Sequence, residues 1–190
     1  MTMSALAIPH AVPRRVTSGE YRRMTELGFF QGERIELIHG TLVRMSPIGP
    51  SHADPVDWLT ELLVLALTGR ARVRIQQPLL AMDDSEPEPD VAVVPLGARQ
   101  KEHPHEAHLV IEVADSSLAY DRETKVPLYA ASGFQEVWIV DVRAKAIEVF
   151  SALDGGEYTS VTRHGLEDTV RPTAFPDVEV AVARLFPVAP

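Results

Sequence analysis

The chain has 190 residues, enough for one well-packed domain and too few for two, and its 45% hydrophobic and 24% charged residues are ordinary globular values. It contains no cysteine, which excludes disulfides and thiolate metal sites. Lys and Arg total 18 against 27 Asp and Glu, and this formal charge of −9 works against non-specific attraction to a phosphate backbone.

Residues 1–16 show no periodicity and contain Pro9 and Pro13, so we expect a flexible N-terminal arm followed by a single domain of residues 17–190. Their basic pair follows the apolar stretch, the reverse of a signal peptide. No apolar run approaches the roughly 18 residues that span a bilayer. These features predict a soluble cytoplasmic protein with no membrane partner.

Thr17 and Glu20 form a capping-box pattern that predicts a short helix ending near Gly28. The following segment, RIELIHGTLVRM, predicts two strands around the His39-Gly40 turn. Glu36 lies on the first of these strands. It is either a solvated strand residue or a further acid near a metal site, and the two readings are about equally good.

The segment from Ser51 to about Gly69 predicts a long helix with a wide apolar stripe. His52 stands at its start, where a histidine is more often a capping or surface residue than a catalytic one. The segment ARVRI then predicts a strand.

Two further strands each carry one carboxylate. Asp90 stands at the head of the apolar run VAVV, and Glu112 interrupts the apolar run LVIEVA, which is typical of a strand buried on both faces. Burying a carboxylate costs several kcal/mol unless it is paired or bound to a metal. A salt bridge to an arginine is the alternative for Glu112, and we favour a metal or catalytic role.

The segment from Tyr120 to Ser132 predicts a helix, although Pro127 indicates that its regular part starts only near Lys125. Asp121 and Lys125 stand at i, i+4 and would share a helical face, so a surface ion pair is the plain alternative to a role in a site. The remaining chain alternates strand-like runs with turns and ends in VEVAVARLFP, which suggests a short terminal helix. The mixture predicts an α/β or mixed α+β fold, with one sheet flanked by helices.

The charges of Asp90, Glu112 and Lys125 suggest a metal-assisted reaction at a phosphate. Asp90 and Glu112 on neighbouring strands can supply two oxygen ligands to Mg²⁺, which retains several waters. The metal would neutralise a scissile phosphate and lower the pKa of an attacking water. Lys125 could stabilise charge developing on that phosphate or orient the water.

The quoted motifs also resemble a known family. The segments RIELIHGTLVRMSPIGPSH, SEPEPDVAVV, LVIEVADSS and YDRETKVPLYAASGFQEVWIVD are similar, in this order, to the Uma-type (Uma-two) family of predicted restriction endonucleases, part of the PD-(D/E)XK nuclease superfamily. The resemblance runs from about Val16 to the terminal VARLFP. It implies a restriction-endonuclease-like fold, a central mixed sheet flanked by helices, with an N-terminal helix and hairpin.

By this resemblance, Pro89-Asp90 matches the PD element and Glu112 matches the second acid. The usual lysine of the superfamily would stand two residues after that acid, where this chain has Ala114. Lys125 matches a lysine that has moved onto the following helix. Glu36 matches an additional acid that many members carry ahead of the core motif.

We therefore expect an Mg²⁺-dependent DNA endonuclease that also accepts Mn²⁺ and acts as a homodimer. Asp90 and Glu112 are the predicted metal ligands, Lys125 and Glu36 complete the predicted catalytic set, and His52 and Asp121 are predicted supporting residues. The charge of −9 leaves open a non-catalytic homodimeric interaction module that retains the fold. A metal-dependent phosphodiesterase acting on RNA or nucleotides also remains open.

Overall fold

A computed structural model of the chain describes residues 12–46, 49–97 and 103–186. Residues 1–11 of the predicted N-terminal arm lie outside these ranges. At the end of that arm, the Val16 N–H donates a hydrogen bond of 2.9 Å to the Gly40 carbonyl. This bond joins the chain before the first helix to the turn of the first hairpin.

The strands, in chain order, are β1 (Ile35–Ile38), β2 (Thr41–Arg44), β3 (Ala71–Ile75), β4 (Val91–Pro95), β5 (Leu109–Ala114), β6 (Val137–Asp141), β7 (Ala146–Asp154), β8 (Glu157–His164), β9 (Thr169–Val170) and β10 (Val180–Ala181). Six of them form the central sheet in the order β3-β4-β5-β6-β7-β8. The β5–β6 pair is parallel, and the other neighbouring strands are antiparallel. This mixed sheet with flanking helices confirms the predicted fold class.

The helices are α1 (Ser18–Glu26), α2 (Pro50–Leu67), α3 (Leu118–Tyr120) and α4 (Val126–Ala131), with a π-helical turn (Asp121–Lys125) joining the last two and a 3-10 turn at Val182–Leu185. The capping box predicted for α1 is present. The regular helix after the π-helical turn begins at Val126, as the position of Pro127 indicated. The terminal helix expected from VEVAVARLFP is reduced to β10 and the 3-10 turn. Among the described residues, no helix is long and apolar enough to cross a membrane.

Both faces of the central sheet are buried. Side chains of α2, including Leu59 and Leu63, pack with Val91 and Val93 of β4 on one face. On the other face, alternate residues of the same strands pack against α4 and the segment that follows it. Since β5 is covered on both sides, all six of its residues are buried, including Glu112.

The β1–β2 hairpin stands outside the central sheet and is tied to the segment that leads into β4. Its turn uses His39 and Gly40, both with positive φ, as the sequence predicted. Leu37 and Glu86 exchange two backbone hydrogen bonds, of 2.8 and 3.4 Å. This contact carries Glu36, the neighbour of Leu37, to the end of the sheet where β4 begins.

Candidate active site

A cavity of about 380 Å³ opens at this end of the sheet. Its walls come from β1, the start of α2, the junction of β4 with β5, and the π-helical turn. All six residues singled out from the sequence line it: Glu36, His52, Asp90, Glu112, Asp121 and Lys125. The structure therefore gathers side chains that are widely separated along the chain into one chamber.

Asp90 is fixed by three hydrogen bonds. The pairing of Val91 with Ile111 brings Asp90 opposite Glu112 across two antiparallel strands. The Asp90 Oδ2 accepts a bond of 2.8 Å from the backbone N–H of Val113 and lies 3.0 Å from His52 Nε2. Its Oδ1 accepts a bond of 3.3 Å from the Gln76 amide. These partners hold the carboxylate rigidly beside Glu112.

Lys125 bridges the two remaining carboxylates of the predicted catalytic set. Its Nζ lies 3.2 Å from Glu36 Oε2 and 3.2 Å from Glu112 Oε1, and all three side chains are nearly fully buried. Lys125 thus pairs with Glu36 and Glu112 rather than forming the surface ion pair with Asp121 that its spacing allowed. Asp121 instead accepts a hydrogen bond of 2.6 Å from the Ser117 hydroxyl. π-Helical turns are rare and frequently occur at functional sites.

Burial controls the protonation of this group. Burial raises the pKa of Glu112, although the Lys125 charge opposes the shift. Burial alone would lower the pKa of Lys125, but the carboxylates of Glu112 and Glu36 outweigh it and raise that pKa, so the ammonium stays charged. Burial also raises the pKa of Asp121, and the hydrogen bond to Asp90 raises the pKa of His52. Glu36 and Glu112 thus share one buried ammonium, that of Lys125.

Besides Ser117, which donates to Asp121, sequence reasoning missed three polar side chains that support these residues. The Tyr129 hydroxyl, fully buried, donates a hydrogen bond of 2.5 Å to Glu112 Oε1. The Tyr120 hydroxyl donates one of 3.3 Å to Glu36 Oε1. Gln76 is the third, through its bond to Asp90. The four-residue spacing of Lys125 and Tyr129 was an available signal, because such residues lie on one face of a helix.

A family model described as "Putative restriction endonuclease" (Uma2) matches residues 19–183 of the chain. The chain belongs to the Uma2 family. This confirms the resemblance drawn from the motifs. Among solved structures, the chain is similar to one entitled "Crystal structure of a putative nuclease belonging to DUF820 from Anabaena variabilis ATCC 29413", with a TM-score of 0.71 and 15% identity over 90% of this chain and 97% of that one. At this identity the similarity shows a shared fold. No curated protein matches the chain.

The site residues of this Uma2 protein fit a hard divalent cation. Acidic side chains outnumber basic ones by five to three in the described part of the cavity lining: Glu36, Asp90, Glu112, Asp115 and Asp121 against Arg34, Arg44 and Lys125. Within the described ranges, no group of three or more His, Asp or Glu side chains is already arranged to hold a metal ion. That is no obstacle for Mg²⁺, which is usually bound through one or two carboxylates with water and substrate phosphate oxygens.

Proposed function

We propose that this Uma2 protein is an Mg²⁺-dependent endonuclease that hydrolyses DNA phosphodiester bonds, with Mn²⁺ as a substitute metal. We further propose that it acts as a homodimer in the cytoplasm. Membership of a restriction-endonuclease family supports a nuclease function. The observation that carries the proposal is the buried ammonium of Lys125, held 3.2 Å from Glu112 in a chamber that also contains Asp90. Two carboxylates can hold a metal and a lysine can stabilise charge on the phosphate, so this side-chain set suits metal-assisted phosphodiester hydrolysis.

In this proposal Asp90 and Glu112 hold the metal. When bound, Mg²⁺ supplies charge that neutralises the scissile phosphate and acidifies a coordinated water. His52, Gln76 and the Val113 N–H keep the Asp90 carboxylate in one orientation. Orientation of this kind contributes to catalysis because the reacting groups need no rearrangement at the transition state.

Lys125 and Glu36 complete the set. The Lys125 Nζ directs positive charge toward the part of the chamber where a phosphate oxygen would acquire negative charge, and a dry site makes such an interaction stronger than it is in water. Glu36, held by Tyr120 and by the Glu88 N–H, keeps the ammonium in position. Asp121 lies beside them and adds negative charge that favours both the lysine and the cation.

Cleavage of plasmid and linear duplex DNA by the purified protein tests this proposal. We expect cleavage in Mg²⁺ or Mn²⁺, none in EDTA, and a loss of about a thousandfold in Asp90→Asn and in Glu112→Gln. Asp115→Asn is the matched control, because this exposed carboxylate lines the same cavity but pairs with Ser51 and Arg143. Equal cleavage in EDTA would show that the metal assignment is wrong. Full activity in both variants would show that the site is elsewhere.

The charge of −9 favours one competing function, a non-catalytic interaction module that retains the nuclease fold. Such a module would neither cleave DNA nor bind it at low salt, whereas a nuclease binds with an affinity that falls steeply as salt rises. RNA and nucleotide diesters in the same assay separate a DNA enzyme from a phosphodiesterase of other specificity. Analytical ultracentrifugation tests the homodimer.

A further inference from the structure

Two arginines, Arg72 and Arg74, alternate along β3, the edge strand of the central sheet. Their strand neighbours Val73 and Ile75 pack toward α2. Because side chains alternate between the faces of a strand, both arginines belong to the opposite face. Arg74 pairs across the strands with Ala92, which faces the same way as Asp90. The arginines therefore share a face of the sheet with the candidate active site.

The charges of both arginines are uncompensated in the part of the chain that the structure describes. Within the described ranges no carboxylate forms an ion pair with Arg72 or Arg74, although acids outnumber bases in the chain by 27 to 18. The Arg74 guanidinium has one hydrogen bond, of 3.2 Å from Nη2 to the Pro78 carbonyl, and its Nε is buried with no acceptor. Burial and the adjacent Arg72 charge lower the pKa of Arg74. An anion bound by the exposed Arg72 guanidinium and the remaining Nη donors of Arg74 would relieve the repulsion between these like charges.

The arginine pair lies close to the proposed scissile phosphate. Gln76, the next residue on this face after Arg74, donates its hydrogen bond of 3.3 Å directly to Asp90 Oδ1. Arg74 and Asp90 are diagonal neighbours across β3 and β4, a relationship that separates them by about 7–8 Å. A DNA strand carries one phosphate per about 3.4 Å of helix axis, and because the backbone winds around that axis, neighbouring phosphates lie further apart than this rise. The separation therefore corresponds to about one or two nucleotide steps.

We propose that Arg72 and Arg74 form a binding site for the phosphate backbone of the nucleic-acid substrate, within a few nucleotides of the cleaved bond. This inference rests on the proposed nuclease function. The planar guanidinium suits phosphate, since it can donate two parallel hydrogen bonds to it. A local pair of uncompensated arginines also explains how a chain with a charge of −9 holds a polyanion beside a carboxylate-rich site.

Steady-state cleavage of a fluorescent duplex in Mg²⁺ tests the inference with the double variant Arg72→Gln/Arg74→Gln. We expect KM to rise at least tenfold with kcat nearly unchanged, because the arginines bind substrate away from the reacting atoms. Duplex binding in Ca²⁺ across 50–200 mM salt gives a second readout. The slope of log affinity against log salt should fall by roughly 1.8, since each phosphate contact contributes about 0.9.

Arg171→Gln is the matched control. Arg171 is exposed, pairs with Glu179 and follows β9, whose Val170 packs on the α2 side of the sheet. Its replacement should leave KM and the salt slope unchanged. Arg72→Gln alone changes an exposed side chain without disturbing the part-buried Arg74, and should produce about half of the change in slope. If the wild type cleaves DNA but Arg72→Gln and the double variant both keep its KM and salt slope, this inference is overturned and the nuclease proposal stays intact. Absence of both binding and cleavage in the wild type would overturn both.

Discussion

The Lys125 Nζ lies 3.2 Å from the Glu112 Oε1, and this contact joins the π-helical turn to β5, a fully buried strand of the sheet. Neither charge is stable alone in such a place, because removing one partner of a buried ion pair leaves an uncompensated charge. Glu36, on the hairpin outside the sheet, holds the same ammonium from the other side. Three separate elements are therefore joined through one cation.

Lys125→Met should destabilise the metal-free protein by about 3 kcal/mol, because Glu36 and Glu112 lose their shared counter-charge. Added Mg²⁺ should restore part of that stability by supplying positive charge to the same carboxylates, while cleavage stays absent. Urea denaturation in EDTA and in Mg²⁺ measures both effects. Lys145→Met, which removes an exposed lysine, is the control. Equal stability of Lys125→Met and Lys145→Met would contradict the bridging role.

Metal binding should stabilise the folded protein. A ligand that binds only the native state adds about 2.7 kcal/mol to the free energy of unfolding when its concentration is 100 times its Kd. We expect Tm to rise with Mg²⁺ or Mn²⁺ and the rise to disappear on addition of EDTA. Asp90→Asn should abolish the rise, and Asp115→Asn should retain it. A Tm that is independent of metal in the wild type would argue against a cation site at Asp90 and Glu112.

The acids of the site could be predicted because charges are costly inside apolar strands. Glu112 stands in a run with no solvated face, and the structure gives it both a cation and a phenol as partners. The support from Gln76 depends on the register of β3 against β4, which no local pattern encodes. The spacing of Tyr129 and Lys125 indicates a shared helical face, but it does not specify a hydrogen bond from Tyr129 to Glu112 on another element. The metal, the homodimer and the catalytic roles remain predictions.

Glu148 provides a stability prediction away from the site. Its carboxylate accepts hydrogen bonds of 2.7 Å from Arg122 Nε and 2.8 Å from Arg163 Nη1, and these arginines, Arg122 first, lower its pKa. A lowered pKa stabilises the fold above the ordinary value of 4.5, and that stabilisation is lost as pH falls through the folded-state pKa.

At pH 7, Glu148→Gln should therefore cost about 1 kcal/mol, a modest value because water screens the half-exposed Arg163. The difference from wild type should shrink below about pH 4. Urea denaturation between pH 3 and pH 7 measures it, with the exposed Glu157→Gln as control. A difference that does not depend on pH would show that the carboxylate charge contributes nothing.

Tyr129→Phe removes only the hydroxyl that donates to Glu112 Oε1. We expect kcat to fall with little change in KM, because the glutamate loses its orientation but the substrate contacts remain. A hydrogen bond to a charged group contributes about 1.5–3 kcal/mol, so stability should fall by a similar amount. Tyr158→Phe is the matched control, since that hydroxyl donates at 2.7 Å to the Phe134 carbonyl, away from the cavity. Both variants should lose stability, and only Tyr129→Phe should lose kcat and weaken the Mg²⁺-dependent rise in Tm. Equal kcat in the two variants would show that Tyr129 supports the core without orienting Glu112.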